Sequence, residues 1–177
     1  MKTISLIFTS AMVVFFFCSA DMSSHRYMHE KVSLSDEQAS KAFMIQTLRD
    51  LHSLLLDSNY IEAKDYFLHT ENMDKKTSKE AFSHMLEMKE LSASGIDSLE
   101  KHAIFGKVLD LYGQTGIRGI KKHDDGFPNS PKLNPDNCYG LYIPLTIIEV
   151  MAVWDGKGYK FFRLDNVGKL DHRGFDK

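Results

Sequence analysis

The chain has 177 residues and a nearly balanced charge, with 22 Lys and Arg against 24 Asp and Glu. A chain of this length buries enough surface to fold as one domain without disulfides or metals. The lack of a basic excess argues against nucleic acid as a partner, because binding to phosphates requires clustered positive charge.

The first 20 residues predict a secretory signal peptide. Lys2 supplies a positive charge, residues 4–17 form an apolar run, and the small residues Cys18 to Ala20 predict cleavage after Ala20. The apolar run is shorter than the ~20 residues that a membrane-spanning helix needs. We therefore predict an exported protein, either periplasmic or secreted. A lipid-anchored form cut before Cys18 is the alternative, and the bulky residues in front of Cys18 disfavour it.

The remaining chain predicts one domain between two short flanking segments. Residues 21–34 are polar and lack any periodicity, which is typical of a flexible tether. A single α+β domain is predicted over residues 35–170, and residues 171–177 are predicted to be a C-terminal tail. Because Cys18 leaves with the signal peptide, Cys138 would remain without an intramolecular disulfide partner.

The tether contains a weak metal-binding pattern. His25 and His29 would share a face of a helix, and Met22 and Met28 could add soft ligands for copper. No other ligand spacing supports such a site. The sequence therefore predicts neither a metal nor a cofactor.

Apolar spacing predicts two N-terminal helices. Ser35 to Gln38 form a capping box, in which the serine hydroxyl accepts from an amide at the helix start. The helix is predicted to run to about Asp57, and Asn59 is predicted to cap a shorter second helix. The inward face of the first helix is predicted from residues that recur at helical spacing, namely Met44, Leu48, Leu51 and Leu55.

Two further helices are predicted before the composition changes. Thr77 to Glu80 form a second capping box, which predicts a helix ending near Leu91. Residues 97–112 fit a fourth helix, although Gly106 is unfavourable inside it, and Gly113 is predicted to be its C-cap. The third helix is predicted to turn three residues inward, namely Phe82, Met85 and Leu86.

The last third of the chain predicts strands, because its apolar residues are β-branched or aromatic and Gly, Pro, Asn and Asp separate them. Residues 117–123 are predicted to be a strand and residues 124–137 a loop. Residues 138–154 fit one long strand or a bent pair, and wherever they are regular both faces should be covered. The turn 155–158 leads into a strand over 159–166, which completes the clearest hairpin.

Helices followed by an antiparallel sheet indicate the α+β class. Residues 54–67 resemble the opening of the nuclear transport factor 2-like superfamily, and residues 152–164 resemble its final hairpin. The resemblance implies a cone-shaped fold, in which N-terminal helices pack on a curved antiparallel sheet. It implies no particular function, because this fold serves isomerases, dehydratases, ligand binders and assembly modules alike.

Aromatic residues near the last hairpin are the candidate ligand-binding residues. Tyr142, Trp154, Tyr159 and Phe161 would line a cavity in the cone, although large aromatics in this position more often form the core. A second candidate pairs the Cys138 thiol with the imidazole of His123 at the end of the preceding predicted strand, as in cysteine enzymes, but no local sequence resembles such an enzyme. We therefore predict no catalytic residue.

The sequence favours one function and leaves an alternative open. The leading hypothesis is a non-enzymatic domain that binds a small apolar ligand or a protein, with a homodimer as one form of the latter. The alternative is an isomerase or dehydratase with an inward carboxylate or His as base and Tyr139, Tyr142 or Tyr159 as donor. An interior carboxylate close to a tyrosine would favour the enzyme, whereas an interior filled by Phe and Met would favour binding.

Overall fold

A computed structural model of the chain describes residues 36–70 and 72–170. The predicted signal peptide, tether and C-terminal tail, with His25 and His29, lie outside these residues. The helices are α1 (Glu37–Leu56), α2 (Tyr60–Ala63), α3 (Lys75–Glu87), α4 (Ala93–His102) and α5 (Val108–Gly126), and the strands are β1 (Ile104–Lys107), β2 (Cys138–Tyr142), β3 (Glu149–Trp154) and β4 (Tyr159–Asp165). Short 3-10 helices cover Lys64–Tyr66, Pro135–Asn137 and Val167–Lys169.

The four strands form one antiparallel sheet in the order β1-β2-β3-β4. Leu141 lies opposite Phe105 on one side and Val150 on the other. Between β3 and β4 the register shifts, because Met151 pairs with Arg163 whereas Ala152 pairs with Phe161. Helices combined with a wholly antiparallel sheet confirm the predicted α+β class.

Helices cover both faces of the sheet. Along β3, Val150 and Ala152 point into the larger hydrophobic core, with α1 and α4, whereas Met151 and Val153 point into a smaller core beneath α5. This alternation is the period of two that an extended strand imposes on its side chains. The expectation that the regular part of residues 138–154 would be covered on both faces is confirmed.

The first helix has the predicted face but a different cap. The four predicted core residues of α1 are at most 1% exposed. Asp36, not Ser35, is the N-cap, and its carboxylate accepts from the backbone N–H of Gln38 at 3.0 Å and of Ala39 at 3.1 Å. Likewise α3 is capped by Asp74, whose carboxylate accepts from the N–H of Thr77 at 2.7 Å, so the capping box predicted at Thr77 is wrong. In both places the cap is a carboxylate and not the predicted hydroxyl, and its negative charge matches the positive end of the helix dipole.

We expect Asp36→Ala to lower the free energy of unfolding by about 0.5–2 kcal/mol, because two amides at the start of α1 would lose their acceptor. Asp36→Asn keeps a side-chain oxygen and should retain most of the stability. Urea unfolding of the three proteins measures the difference. An equal loss in both variants would mean that the acceptor does not stabilise the start of α1.

The prediction for residues 97–123 is wrong in two places. The single helix predicted over 97–112 is divided, because α4 ends at His102 and β1 precedes α5. The strand predicted over 117–123 is part of α5, which runs to Gly126 and shortens the predicted loop. Gly113, the predicted C-cap, has φ 50° and interrupts α5 instead of ending it.

Glycines on the inner face of α5 explain the error. A Cβ at Gly116 would lie 2.6 Å from the carbonyl oxygen of Val108, and one at Gly119 would lie 3.0 Å from Sδ of Met151. These glycines permit close packing of a helix, whereas the sequence pattern suggests turns. The contact of Gly119 with β3 and that of Gly116 with the start of α5 both depend on the folded arrangement, which local propensity does not encode.

Residues 138–154 form two strands, which confirms the bent pair, one of the two predicted alternatives, and not the single long strand. A loop over 143–148 separates β2 from β3. The final hairpin is confirmed, and Asp155 Oδ1 accepts from the N–H groups of Lys157 and Gly158 at 2.8 and 2.9 Å in its turn. In the described part of the chain, no helix is both long and apolar enough to cross a membrane.

Candidate functional site

The four predicted ligand-binding residues are divided between the two faces of the sheet. Trp154, Tyr159 and Phe161 lie on the face of the larger core, where Tyr159 and Phe161 are buried and Trp154 is half-buried. Tyr142 contacts Tyr112 of α5, with ring centroids 5.3 Å apart, on the opposite face. The structure therefore brings together three of the four residues.

Trp154 and Tyr159 belong to an aromatic cluster, which consists of Phe43, Phe105, Tyr139, Trp154 and Tyr159. Trp154 lies edge-on to Tyr159 at 5.1 Å and to Phe43 at 5.8 Å between ring centroids. Tyr139 stacks on Phe105 at 5.7 Å with an interplanar angle of 2°. The half-buried members of this cluster form an aromatic surface where α1 meets the ends of β2 and β3.

Two hydroxyl groups are buried beneath this aromatic cluster. Neither Oγ of Ser40 nor the hydroxyl of Tyr159 makes a hydrogen bond of normal geometry, although the two groups are close enough for Ser40 to act on Tyr159. Burial raises the pKa of Tyr159, the neighbouring Tyr139 raises it further, and the Ser40 hydroxyl opposes this effect. A buried hydroxyl without a partner is costly, so a polar atom that reached this position would be stabilised.

The polar residues buried within residues 36–70 and 72–170 carry only hydroxyl groups. They are Ser40, Thr47, Ser78 and Ser98. The hydroxyls of Thr47 and Ser98 donate to backbone oxygens four residues earlier in their own helices. The larger core therefore offers aromatic and hydroxyl chemistry, and outside it the described residues also bury ring nitrogens of His69 and His123.

A carboxylate–arginine group lies on the α5 face of the sheet. Arg163 pairs with Glu149 and also with Asp165, at 2.9 Å between Nε and Oδ2. Burial raises the pKa of Glu149, and Arg163 opposes this rise. The nearby Tyr112 hydroxyl donates to the carbonyl oxygen of Leu141 and accepts from the N–H of Val150, so it joins β2 to β3.

Cys138 does not form the hypothesised thiolate. Its Sγ donates to the carbonyl oxygen of Asn134 at 3.3 Å, and burial raises its pKa to about 12. The thiol is therefore protonated at neutral pH and acts as a small buried side chain. The described residues contain no cluster of three His, Cys, Asp or Glu side chains that could bind a metal.

The loop over 143–148 carries an exposed apolar surface that the strand prediction missed. Leu145 is fully exposed, and Ile147 is 76% exposed. The carbonyl oxygen of Ile143 accepts from both N and Oγ1 of Thr146, at 3.3 and 2.8 Å, which closes a turn with Pro144 and Leu145 in its middle. Leu145 has φ 65°, at the turn position where glycine is usual after proline.

The left-handed backbone of Leu145 costs roughly 1 kcal/mol in a residue with a side chain. The apolar loop, defined as residues 143–148, therefore combines an unfavourable backbone with an unfavourably exposed side chain. The Pro144-Leu145 pair was the available signal for a turn in place of a strand.

No protein-family model, no curated protein and no solved structure matches this chain.

Proposed function

We propose that the chain is an exported, non-enzymatic protein-interaction domain that inserts Leu145 into an apolar pocket of a partner protein. The observation that carries the proposal is a fully exposed leucine held in a left-handed conformation. The resemblance to the nuclear transport factor 2-like superfamily implies no particular site, because that fold serves many functions. Strained residues tend to occur where binding requires a defined side-chain position.

The apolar loop is suited to binding because its shape is fixed before a partner arrives. Pro144 has a restricted φ, and the two bonds from Thr146 to Ile143 close the turn. Little conformational entropy would be lost on docking. Burying the Leu145 side chain would contribute about 1.5–3 kcal/mol, and Ile147 lies two residues away to add to it.

The charges beside the apolar loop favour a protein pocket over a lipid surface. Glu149 begins β3 directly after the loop and pairs with Arg163, and Asp165 pairs with the same arginine. This group contains more acidic than basic side chains, whereas peripheral binding to anionic lipid requires a cluster of Lys and Arg. A concave apolar pocket with a neutral or mildly basic rim is the complementary surface.

Site-specific photocrosslinking in the full chain tests the proposal. A photoreactive residue at position 145 should give one discrete adduct with a partner protein. The matched control is position 56, because Leu56 is another exposed leucine, 64% exposed at the end of α1. Adducts of equal yield from both positions would contradict the proposal.

Affinity for the crosslinked partner gives the quantitative prediction. We expect Leu145→Gly to weaken binding roughly 10- to 100-fold, which corresponds to the loss of one buried leucine side chain. The same variant should leave the thermal stability unchanged or raise it, because glycine relieves the positive φ. Isothermal titration calorimetry and thermal unfolding measure the two effects.

A second glycine variant separates backbone relief from side-chain loss. Lys89 also has a positive φ, of 54°, so Lys89→Gly should relieve strain without changing the affinity. If Leu145→Gly bound as tightly as the wild type, the apolar loop would not be the interface.

A second candidate function is the binding of a small apolar ligand at the aromatic cluster. The unpaired hydroxyls of Ser40 and Tyr159 favour it, because a ligand with one polar atom could bond to both. Native mass spectrometry of the purified full chain should then show a retained small molecule, and Tyr159→Phe should weaken its retention. The isomerase or dehydratase alternative stays a prediction.

A further inference from the structure

Two histidines from distant parts of the chain stack on each other. The rings of His69 and His123 lie 5.1 Å apart between centroids, with an interplanar angle of 26°. Phe127 packs against both rings, at 4.7 Å from His69 and 5.1 Å from His123. Phe162 of β4 contacts His123 edge-on at 5.4 Å.

This stack joins residues 67–69, here called the segment beside β4, to α5 around the outer edge of the sheet. His69 follows Phe67, which bridges to Phe161 on β4, and the N–H of Leu68 donates to the carbonyl oxygen of Phe161 at 3.1 Å. His123 lies near the end of α5, the helix that packs over the smaller core. The contact between the two rings therefore connects the segment beside β4, residues 67–69, to α5.

The site is poorly suited to a charged imidazole. The His123 side chain is only 7% exposed. The Nδ1 atom of His123 and the Nε2 atom of His69 are both buried without a hydrogen-bond partner. An imidazolium has two N–H donors, and each would need an acceptor or water. The phenyl rings of Phe127 and Phe162 provide neither.

Three charged or titratable groups face His123. Oδ1 of Asp124 lies 3.7 Å from Nδ1, but it already accepts from the N–H of Leu133 at 3.1 Å. Lys132 bonds to the backbone oxygen of Asp124 at 2.8 Å and adds positive charge, and His69 adds more when it is protonated. Burial lowers the pKa of His123, His69 lowers it further, and the Asp124 carboxylate only partly offsets both.

We propose that His69 and His123 form an acid-sensitive clasp that holds the segment beside β4 against α5. In the opened state His123 regains its ordinary pKa of about 6.5. As the pH falls below that value, the opened state takes up a proton before the closed state does. The clasp therefore loses stability as the pH falls from about 6.5 through the lower pKa of the closed state, and it keeps its full stability above that window.

Amide hydrogen exchange of Leu68 in the full chain tests the clasp, because this amide is bonded to β4. Its protection factor, corrected for the intrinsic rate, should fall several-fold between pH 7.5 and pH 5.0. The upper limit is ~30-fold for one histidine, since each pH unit below the opened-state pKa contributes a factor of ten. His123→Phe keeps an aromatic ring without a titrating group, so its protection factor should not change with pH.

Two other histidines provide matched controls. His84 is exposed on α3, and His52 is partly buried on α1, where burial lowers its pKa. The variants His84→Gln and His52→Gln should both keep the wild-type fall in Leu68 protection. A fall that persisted in His123→Phe, or that disappeared in His52→Gln, would overturn the clasp.

The ring titration of His123 in the wild-type chain is an independent measurement that needs no variant. Its NMR midpoint should lie below the ordinary imidazole value of about 6.5. A midpoint at or above that value would overturn the proposal even if His123→Phe failed to fold.

Discussion

Phe161→Ala is expected to lower the free energy of unfolding by about 3–5 kcal/mol. Phe161 is 1% exposed, lies opposite Ala152 in the sheet, and contacts the ring of Phe67 at 6.2 Å between centroids. Removing its ring would leave a cavity at the point where the segment beside β4 meets the larger core. The loss is a large part of the ~5–15 kcal/mol that stabilises a typical domain, and urea unfolding measures it directly.

The neighbouring Phe162 is the matched control. It lies on the opposite face of β4, is half-buried against the smaller core, and has no partner in the register at the β3–β4 shift. Phe162→Ala should therefore cost clearly less than Phe161→Ala. Equal losses would contradict the division of the hydrophobic residues into a larger and a smaller core.

Gly95→Ala should be the most damaging of the small substitutions, with a loss of at least about 3 kcal/mol, at the upper end for overpacking. A Cβ at this position would lie 1.9 Å from the carbonyl oxygen of Val167. That oxygen belongs to the backbone and cannot rotate away, and the N–H of Val167 is itself bonded to Glu90 at 3.0 Å. Thermal and urea unfolding should both show the loss.

Gly126→Ala is the corresponding control, since Gly126 ends α5 with open space around its Cα. Alanine there should be neutral or stabilise the protein by up to ~1 kcal/mol through its higher helix propensity. A stabilising effect of Gly95→Ala as well would mean that α4 and the 3-10 helix at Val167 do not approach as closely as described.

The sequence predicts an element correctly where residues close together in the chain determine it. The inward face of α1 repeats every three or four residues, and the turn at Asp155 is closed by its own side chain. By contrast, a side chain at Gly119 would meet Met151 of β3, and one at Gly116 would meet the first residues of α5 across its interruption. Nothing within a few residues of Gly116 or Gly119 distinguishes such a packing contact from a turn.

The candidate sites divide in the same way, into features that nearby residues determine and features that depend on residues distant in the sequence. Tyr142 ends β2 on the α5 face of the sheet. The apolar alternation that runs through residues 141–150 concealed the turn at Leu145, although a bent pair was one of the two predicted alternatives. The stacking of His69 on His123 could not be predicted, because the two histidines meet only after the chain has passed around the edge of β4. Aromatic residues on the last hairpin were recognisable, since their type and alternation were sufficient.

The unequal size of the two cores has a consequence for how the molecule opens. The α5 layer is held by four buried residues, namely Val108, Ile120, Cys138 and Met151. The opposite core contains a far more extensive set of buried residues, to which α1, α4 and all four strands contribute. Local opening of a protein involves the element whose separation needs the least free energy. Detachment of α5, which is interrupted at Gly113, should therefore need less free energy than separation of α1 from the sheet. Partial unfolding of the described domain is therefore expected to begin with α5, while the larger core stays folded.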